Sequence, residues 1–175
     1  MRVNVLDLGL NNLSSLVTTL SDTGDKLDIC VVESASELES CDLIVIPGTG
    51  SFGAAVSALK TRGLFDPVKI AAGEGVKVLG ICLGMQLLGL DSEESPGIQG
   101  LGLIPGSSKR LNATSTARVP NIGWEEIQLA SFEFELSSSV LARDFYFVHS
   151  YFFEPLDPAH VLFTSHHGQE VLDRK

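Results

Sequence analysis

The stretch VKVLGICLGMQLL, Val76 to Leu88, decides how this chain is read. An apolar strand pattern runs into Gly80-Ile81-Cys82-Leu83-Gly84, and an amphipathic helical pattern follows without a spacer. Strand, sharp turn and helix in that order make a nucleophile elbow with cysteine at its tip. A side chain perched there sits on strained backbone, and the residues two before and two after it must be small so that strand and helix can pass closely. Gly80 and Gly84 meet that need. A helix starting at Leu83 aims its unpaired N–H groups and positive dipole end at the sulfur, which favours thiolate and leaves donors for an oxyanion. Free cysteine in general behaves as a small buried hydrophobe. In this frame, Cys82 is expected to attack a carbonyl.

Upstream of the elbow the hydrophobic pattern alternates between two periods. Val3 to Leu8 reads as a strand, and Leu13, Leu16, Val17 and Leu20 then fall on one helix face with Asn12 as its cap. Ile29 to Val32 is a second strand and Ser36 to Cys41 a short helical stretch. Leu43 to Ile46 is a third strand, of the continuously apolar kind found in parallel sheets buried on both faces. Asp66-Pro67 resembles an N-cap and first-turn pair opening a helix through Ala72, ahead of a fourth strand, Val76 to Ile81. Strands alternating with helices predict an α/β fold, a doubly wound and mostly parallel sheet with helices on both faces. From Gly97 onward the helical pattern fades. GLGLIPG, VPNIGWEEI, RDFYFVHSYFF and HVLFTS read as added antiparallel strands and turns, and Ser137 to Ser139 as a loop or helix cap.

A length of 175 residues fits one domain, 1–175, with the composition shift near Asp91 to Gly97 read as a loop within it. With 12 Lys and Arg against 22 Asp and Glu, the net charge of −10 argues against a nucleic-acid surface. No apolar run approaches membrane-spanning length and the N-terminus opens directly on a strand, so the expectation is a cytoplasmic protein with no membrane partner. Cys30, Cys41 and Cys82 form neither a CxxC nor a Cys/His spacing, so no metal, cofactor or disulfide framework is expected. Cys30 and Cys41 read as core packing.

A second glycine motif, Pro47-Gly48-Thr49-Gly50-Ser51-Phe52-Gly53, follows the third strand. Ligands in such sheets bind at the carboxyl ends of the strands, near the switch point, where this loop and the elbow both belong. Glycines there let backbone N–H groups reach a developing oxyanion. Alone the motif is common; beside an elbow cysteine it gains specificity.

Six segments in order then resemble one family: DLGLNNLSSL (7–16), PGTGSFG (47–53), GICLGMQLL (80–88), GLGLIPG (100–106), VPNIGW (119–124) and YFVHSY (146–151). The chain resembles the class I, triad-type glutamine amidotransferases, most closely the glutaminase subunits of imidazole glycerol phosphate synthase. That resemblance implies a Cys82 thiolate that attacks the side-chain amide of glutamine, forms a glutamyl thioester with release of ammonia, and is regenerated by hydrolysis. It implies an oxyanion hole from Gly48, Thr49, Gly50 and Leu83, and substrate binding by Gln86, Ser150 and Tyr151. It also implies a (β/α)8-barrel cyclase subunit as heterodimer partner and receiver of the ammonia. On residue type alone, Gln86 reads equally as a helix-surface residue, Tyr151 as a core aromatic and His149 as a satisfied strand histidine, and Trp124 as packing or interface.

The family completes its site with a C-terminal His-Pro-Glu segment. This sequence ends at Lys175 without one, which reads as a domain lacking its C-terminal end. His166 and His167, with Glu170, are expected as exposed turn residues rather than substitutes. Leu8, Asn11, Ser14, Asn121 and Glu125 stand where the family commonly has tyrosine, glycine, arginine, histidine and asparagine. Three other readings therefore stay open: a catalytically impaired binding or regulatory subunit, an amidotransferase subunit for another acceptor such as a nucleotide sugar, and a different cysteine hydrolase on a related sheet.

Overall fold

A computed structural model describes residues 1–10, 12–24, 26–114, 117–130, 144–167 and 170–174. Asn11 and the serine run 137–139 lie outside them. The chain divides into two compact units, Met1–Leu103 and Ile104–Lys175.

The first unit is the doubly wound α/β layer that the alternation predicts. Strands β1 (Arg2–Leu6), β2 (Asp28–Val32), β3 (Leu43–Gly48) and β4 (Lys77–Cys82) are parallel, in the order β2-β1-β3-β4, which is the flavodoxin-like order. Helix α1 (Ser14–Ser21) lays Leu16, Val17 and Leu20, with Leu13, over Val3, Val5 and Val45 on one face. The alternate strand residues Leu6, Ile44 and Ile46 point to the other face and are also fully buried. Asn12 does its capping one residue early. Its Oδ1 accepts from the Ser14 N–H at 2.9 Å, while Leu13 holds the N-cap position in a helical conformation.

Helix α2 (Phe52–Thr61) follows the second glycine motif, and helical periodicity is plain in its buried Phe52, Ala55, Val56 and Leu59. In the sequence the preceding glycines, 48, 50 and 53, hide the start of this helix. Helix α3 (Phe65–Gly73) starts one residue before Asp66, so Asp66 and Pro67 lie in its first turn, where proline's missing N–H has no partner to lose. The expected helical stretch Ser36–Cys41 is a single 3-10 turn over Ala35–Glu37. Strand β4 is not the buried strand its apolar run suggests: it is the sheet edge, with Leu79 and Ile81 exposed.

Helix α4 (Leu83–Leu87) is only five residues long, and the GLGLIPG segment explains its end. Leu101, Leu103 and Gly102 donate their N–H groups to the carbonyls of Leu87, Leu88 and Gly89, pairing carbonyls that a helix C-terminus leaves open. A Cβ at Gly100 would collide with the Gly89 carbonyl oxygen. This first half of GLGLIPG is therefore a main-chain clamp and not a strand. The two-residue strand β5 (Asp91–Ser92) and an Asp91–Gln99 bridge close the unit.

The second unit is antiparallel, as its Gly, Pro and aromatic content predicts. Its strands are β6 (Gly106–Arg110), β7 (Asn121–Glu126), β8 (Gln128–Leu129), β9 (Asp144–His149), β10 (Tyr151–Pro155), β11 (Phe163–His167) and β12 (Glu170–Arg174). β6 pairs with β10, β7 with β9, and β11 with both β8 and β12. His166 and His167 thus belong to a strand and not to a turn, and His167 is buried.

Candidate active site

Backbone geometry singles out Cys82. Among the described residues it is the one non-glycine at positive φ (φ 55°, ψ −112°), a conformation that L side chains hold only under local constraint. The constraint is visible on both sides. A Cβ on Gly80 would lie 2.6 Å from Cα of Met85 and from the carbonyl carbon and oxygen of Gly84, and one on Gly84 would strike the Ile46 carbonyl oxygen. Only glycine at both places lets β4 turn into α4 against β3, so the thiol is held out at the tip, exposed.

Strand register brings the glycine loop to the thiol. Gly48 is the direct β3 partner of Cys82, and parallel neighbours lie about 4.8 Å apart. A Cβ on Gly48 would press on Leu83 Cβ at 3.1 Å, so glycine here admits the first residue of α4. Gly50 has φ +100° with open space beside it, and Thr49 Oγ1 donates to the Leu10 carbonyl at 2.9 Å. That bond ties the loops after β1 and β3, which is where this strand order reverses and where ligands bind in such sheets. Gly48, Thr49, Gly50, Cys82, Leu83 and Gln86 are therefore together at one end of one sheet.

Gln86 is buried within α4, and its Oε1 has no hydrogen-bond partner among the described residues. It is not a helix-surface residue. A buried amide oxygen without a donor is costly and suits a ligand that brings one. Two further residues of the site escaped sequence reading. Glu94 Oε2 accepts from the Phe52 N–H at 2.6 Å and Ser95 Oγ from the Gly53 N–H at 3.0 Å, so together with the Ser51 cap they occupy the first donors of α2. Nothing in the run Glu93-Glu94-Ser95 marks which carboxylate folds back.

Ser150 and Tyr151 lie in the second unit, at the β9–β10 junction, both half-buried. The Ser150 carbonyl accepts from Leu111 N–H, and His149 Nδ1 donates to the Tyr151 carbonyl at 2.9 Å. His149 Nε2 meets the Asn121 amide at 3.2 Å, so both ring nitrogens are satisfied. All four histidines of the chain belong to this second unit. Cys30 and Cys41 are half-buried. Among the described residues no cluster of His, Cys, Asp and Glu could hold a metal, and no helix is long and apolar enough to cross a membrane.

The model of the CobB/CobQ-like glutamine amidotransferase domain matches residues 6–150. The imidazole glycerol phosphate synthase subunit HisH of Synechocystis sp. is 36% identical over 171 residues, covering 97% of this chain and 80% of that one. The HisH subunit of Thermus thermophilus is 37% identical over 158 residues, covering 90% and 75%. A crystal structure of a glutamine amidotransferase superposes with a TM-score of 0.69 over 97% of this chain and 86% of that one, at 20% identity. An elbow cysteine registered against a glycine loop, on a chain that matches these HisH relatives over 90–97% of its own length, places the protein in the glutamine amidotransferase family, among the HisH glutaminase subunits.

Proposed function

We propose that this chain is the glutamine-hydrolysing, ammonia-donating subunit of a histidine-biosynthetic synthase, with Cys82 as its nucleophile. The observation that carries the reading is the register of Cys82 against Gly48, with Cys82 held at positive φ. The Cys82 thiolate attacks the side-chain carboxamide carbon of glutamine. The carbonyl oxygen becomes an oxyanion that takes donors from the Gly48-Thr49-Gly50 strand and the Leu83 N–H. Collapse of that adduct, with a proton taken up from water by the leaving nitrogen, breaks the C–N bond, expels ammonia and leaves a glutamyl thioester, which water cleaves to glutamate and free thiol. Gln86 Oε1 accepts from the ammonium end of glutamine.

The partner is a (β/α)8-barrel cyclase subunit. Its docking face is the β7–β9 ribbon, where Ile122 faces Val148 and Trp124 faces Tyr146, all four exposed, with Trp124 70% accessible and edge-on to Tyr146. Aromatic anchors of this kind carry interface energy out of proportion to their number. The HisH relatives named above are subunits of imidazole glycerol phosphate synthase, which favours a second synthase subunit as the occupant.

The test is intact-mass labelling with 6-diazo-5-oxo-norleucine followed by a glutamate-release assay with and without the barrel subunit. Labelling that Cys82→Ala abolishes, with glutamate release raised by the partner, is the expected result. Folded protein that does not label refutes the assignment. The same assay separates a second reading, a subunit that acylates without turning over, which predicts labelling with no glutamate release.

A further inference from the structure

The face of the β7–β9 ribbon that carries Trp124 has three rows, and the third is unlike the other two. Antiparallel register sets Ile122 opposite Val148, Trp124 opposite Tyr146, and Glu126 opposite Asp144. Alternate residues of a strand share a face, and directly opposed residues share it too, so all six side chains stand on one surface. All six are exposed. At about 3.3 Å per residue the surface runs about 13 Å, from an aliphatic end through an aromatic pair to two carboxylates.

The carboxylate row gains nothing within the chain. Like charges directly opposed across a ladder disfavour the pairing of their strands. Neither strand, NIGWEE or DFYFVH, contains a lysine or arginine, and neither carboxylate makes an ion pair among the described residues. Two carboxylates are too few ligands for a metal ion, and the aliphatic and aromatic rows beside them suit a protein surface rather than a free cation. A basic side chain brought by a partner would remove the repulsion and gain a charge-assisted hydrogen bond from each carboxylate. Docking in the reverse sense would bury both carboxylates against apolar surface and set the cation on Ile122 and Val148, every charge unpaired. The row therefore discriminates between two orientations that the apolar rows alone would accept.

We propose that the barrel subunit seats one arginine or lysine between Glu126 and Asp144 and lays uncharged surface on Ile122 and Val148, so that this row fixes the sense in which the two subunits dock. The proposal rests on the ribbon being the docking face and stands whether or not Cys82 turns over glutamine.

Capture of the barrel subunit by the full chain is measured by titration calorimetry at low and at high salt, beside urea unfolding of the free chain. Glu126→Gln and Asp144→Asn are each expected to weaken capture about tenfold at low salt, the scale of one lost charge-assisted hydrogen bond. The double variant is expected to lose most of the salt dependence of the wild type. Glu74→Gln, at an exposed carboxylate of the first unit, is expected to change nothing. Asp144→Lys sets opposite charges across the ladder, so the free chain's urea midpoint is expected not to fall while capture weakens about a hundredfold. A midpoint that falls in step with capture would make the row structural and overturn the proposal. Trp124→Ala, measured alongside, separates the two claims. Weakened capture there, with wild-type capture in Glu126→Gln and Asp144→Asn, overturns the carboxylate row and keeps the docking face. Wild-type capture in Trp124→Ala, or no capture by the folded wild-type chain, overturns both.

Discussion

Replacing Gly80 by alanine tests whether main-chain contact holds the nucleophile. The new methyl would sit 2.6 Å from three backbone atoms of α4, where ordinary contact begins at 3.4 Å. No flexible side chain can yield, so the start of α4 must retreat by about 0.8 Å, the difference between those distances. Overpacking of this kind costs about 1–3 kcal/mol, and displacing a reacting group by roughly 1 Å costs about a hundredfold in rate. Urea unfolding and the rate of Cys82 labelling by 6-diazo-5-oxo-norleucine measure the two effects. Gly73→Ala is the control: that glycine ends α3 with nothing within 4 Å of its notional Cβ, so the change is expected to leave labelling untouched. Wild-type labelling and stability in folded Gly80→Ala would refute the argument that close passage of strand and helix positions the thiol.

Gln86→Ala removes a buried oxygen that has no hydrogen-bond partner among the described residues. It is expected to raise the half-saturating concentration of the same reagent about tenfold, with the limiting labelling rate preserved. Leu59→Ala, at a fully buried α2 position, is expected to cost about 2–5 kcal/mol in urea unfolding. Trp124→Ala leaves the monomer's unfolding midpoint in place and weakens capture by the barrel subunit about thirtyfold or more, an interface anchor's share. Burial pushes the Cys41 thiol up, so the folded chain holds that proton more tightly than the unfolded one. The resulting stabilisation is present below the ordinary thiol range and lost as pH rises through the raised value. Iodoacetamide alkylation of Cys41 in Cys30→Ser, Cys82→Ala protein is expected to follow a pH profile displaced upward from that of the same chain in urea.

What was legible in the sequence was whatever a single local period or a steric demand encodes. Leu43 to Ile46 could be placed at the sheet centre because four consecutive apolar residues need cover on both faces. Gly80 and Gly84 framed Cys82 because only one backbone path suits G-x-C-x-G. Val78, Leu79 and Ile81 carry the same apolar signature as the central strand, yet β4 is an edge, since neighbour order is settled by pairing and not by composition. GLGLIPG has the alternation of a strand but spends its N–H groups on α4. Glu94 and His167 were illegible for a third reason: folding back onto the Phe52 N–H, or turning inward on β11, depends on partners distant in sequence.

The position of Cys82 is set by two missing methyl groups and one strand pairing, none of which involves a side chain that recognises anything. Residues outside those contacts can therefore change identity without relocating the sulfur. Reactivity and recognition are in this way separable inheritances: a lineage can exchange the surface that selects its associates while the reacting atom stays where the glycines put it.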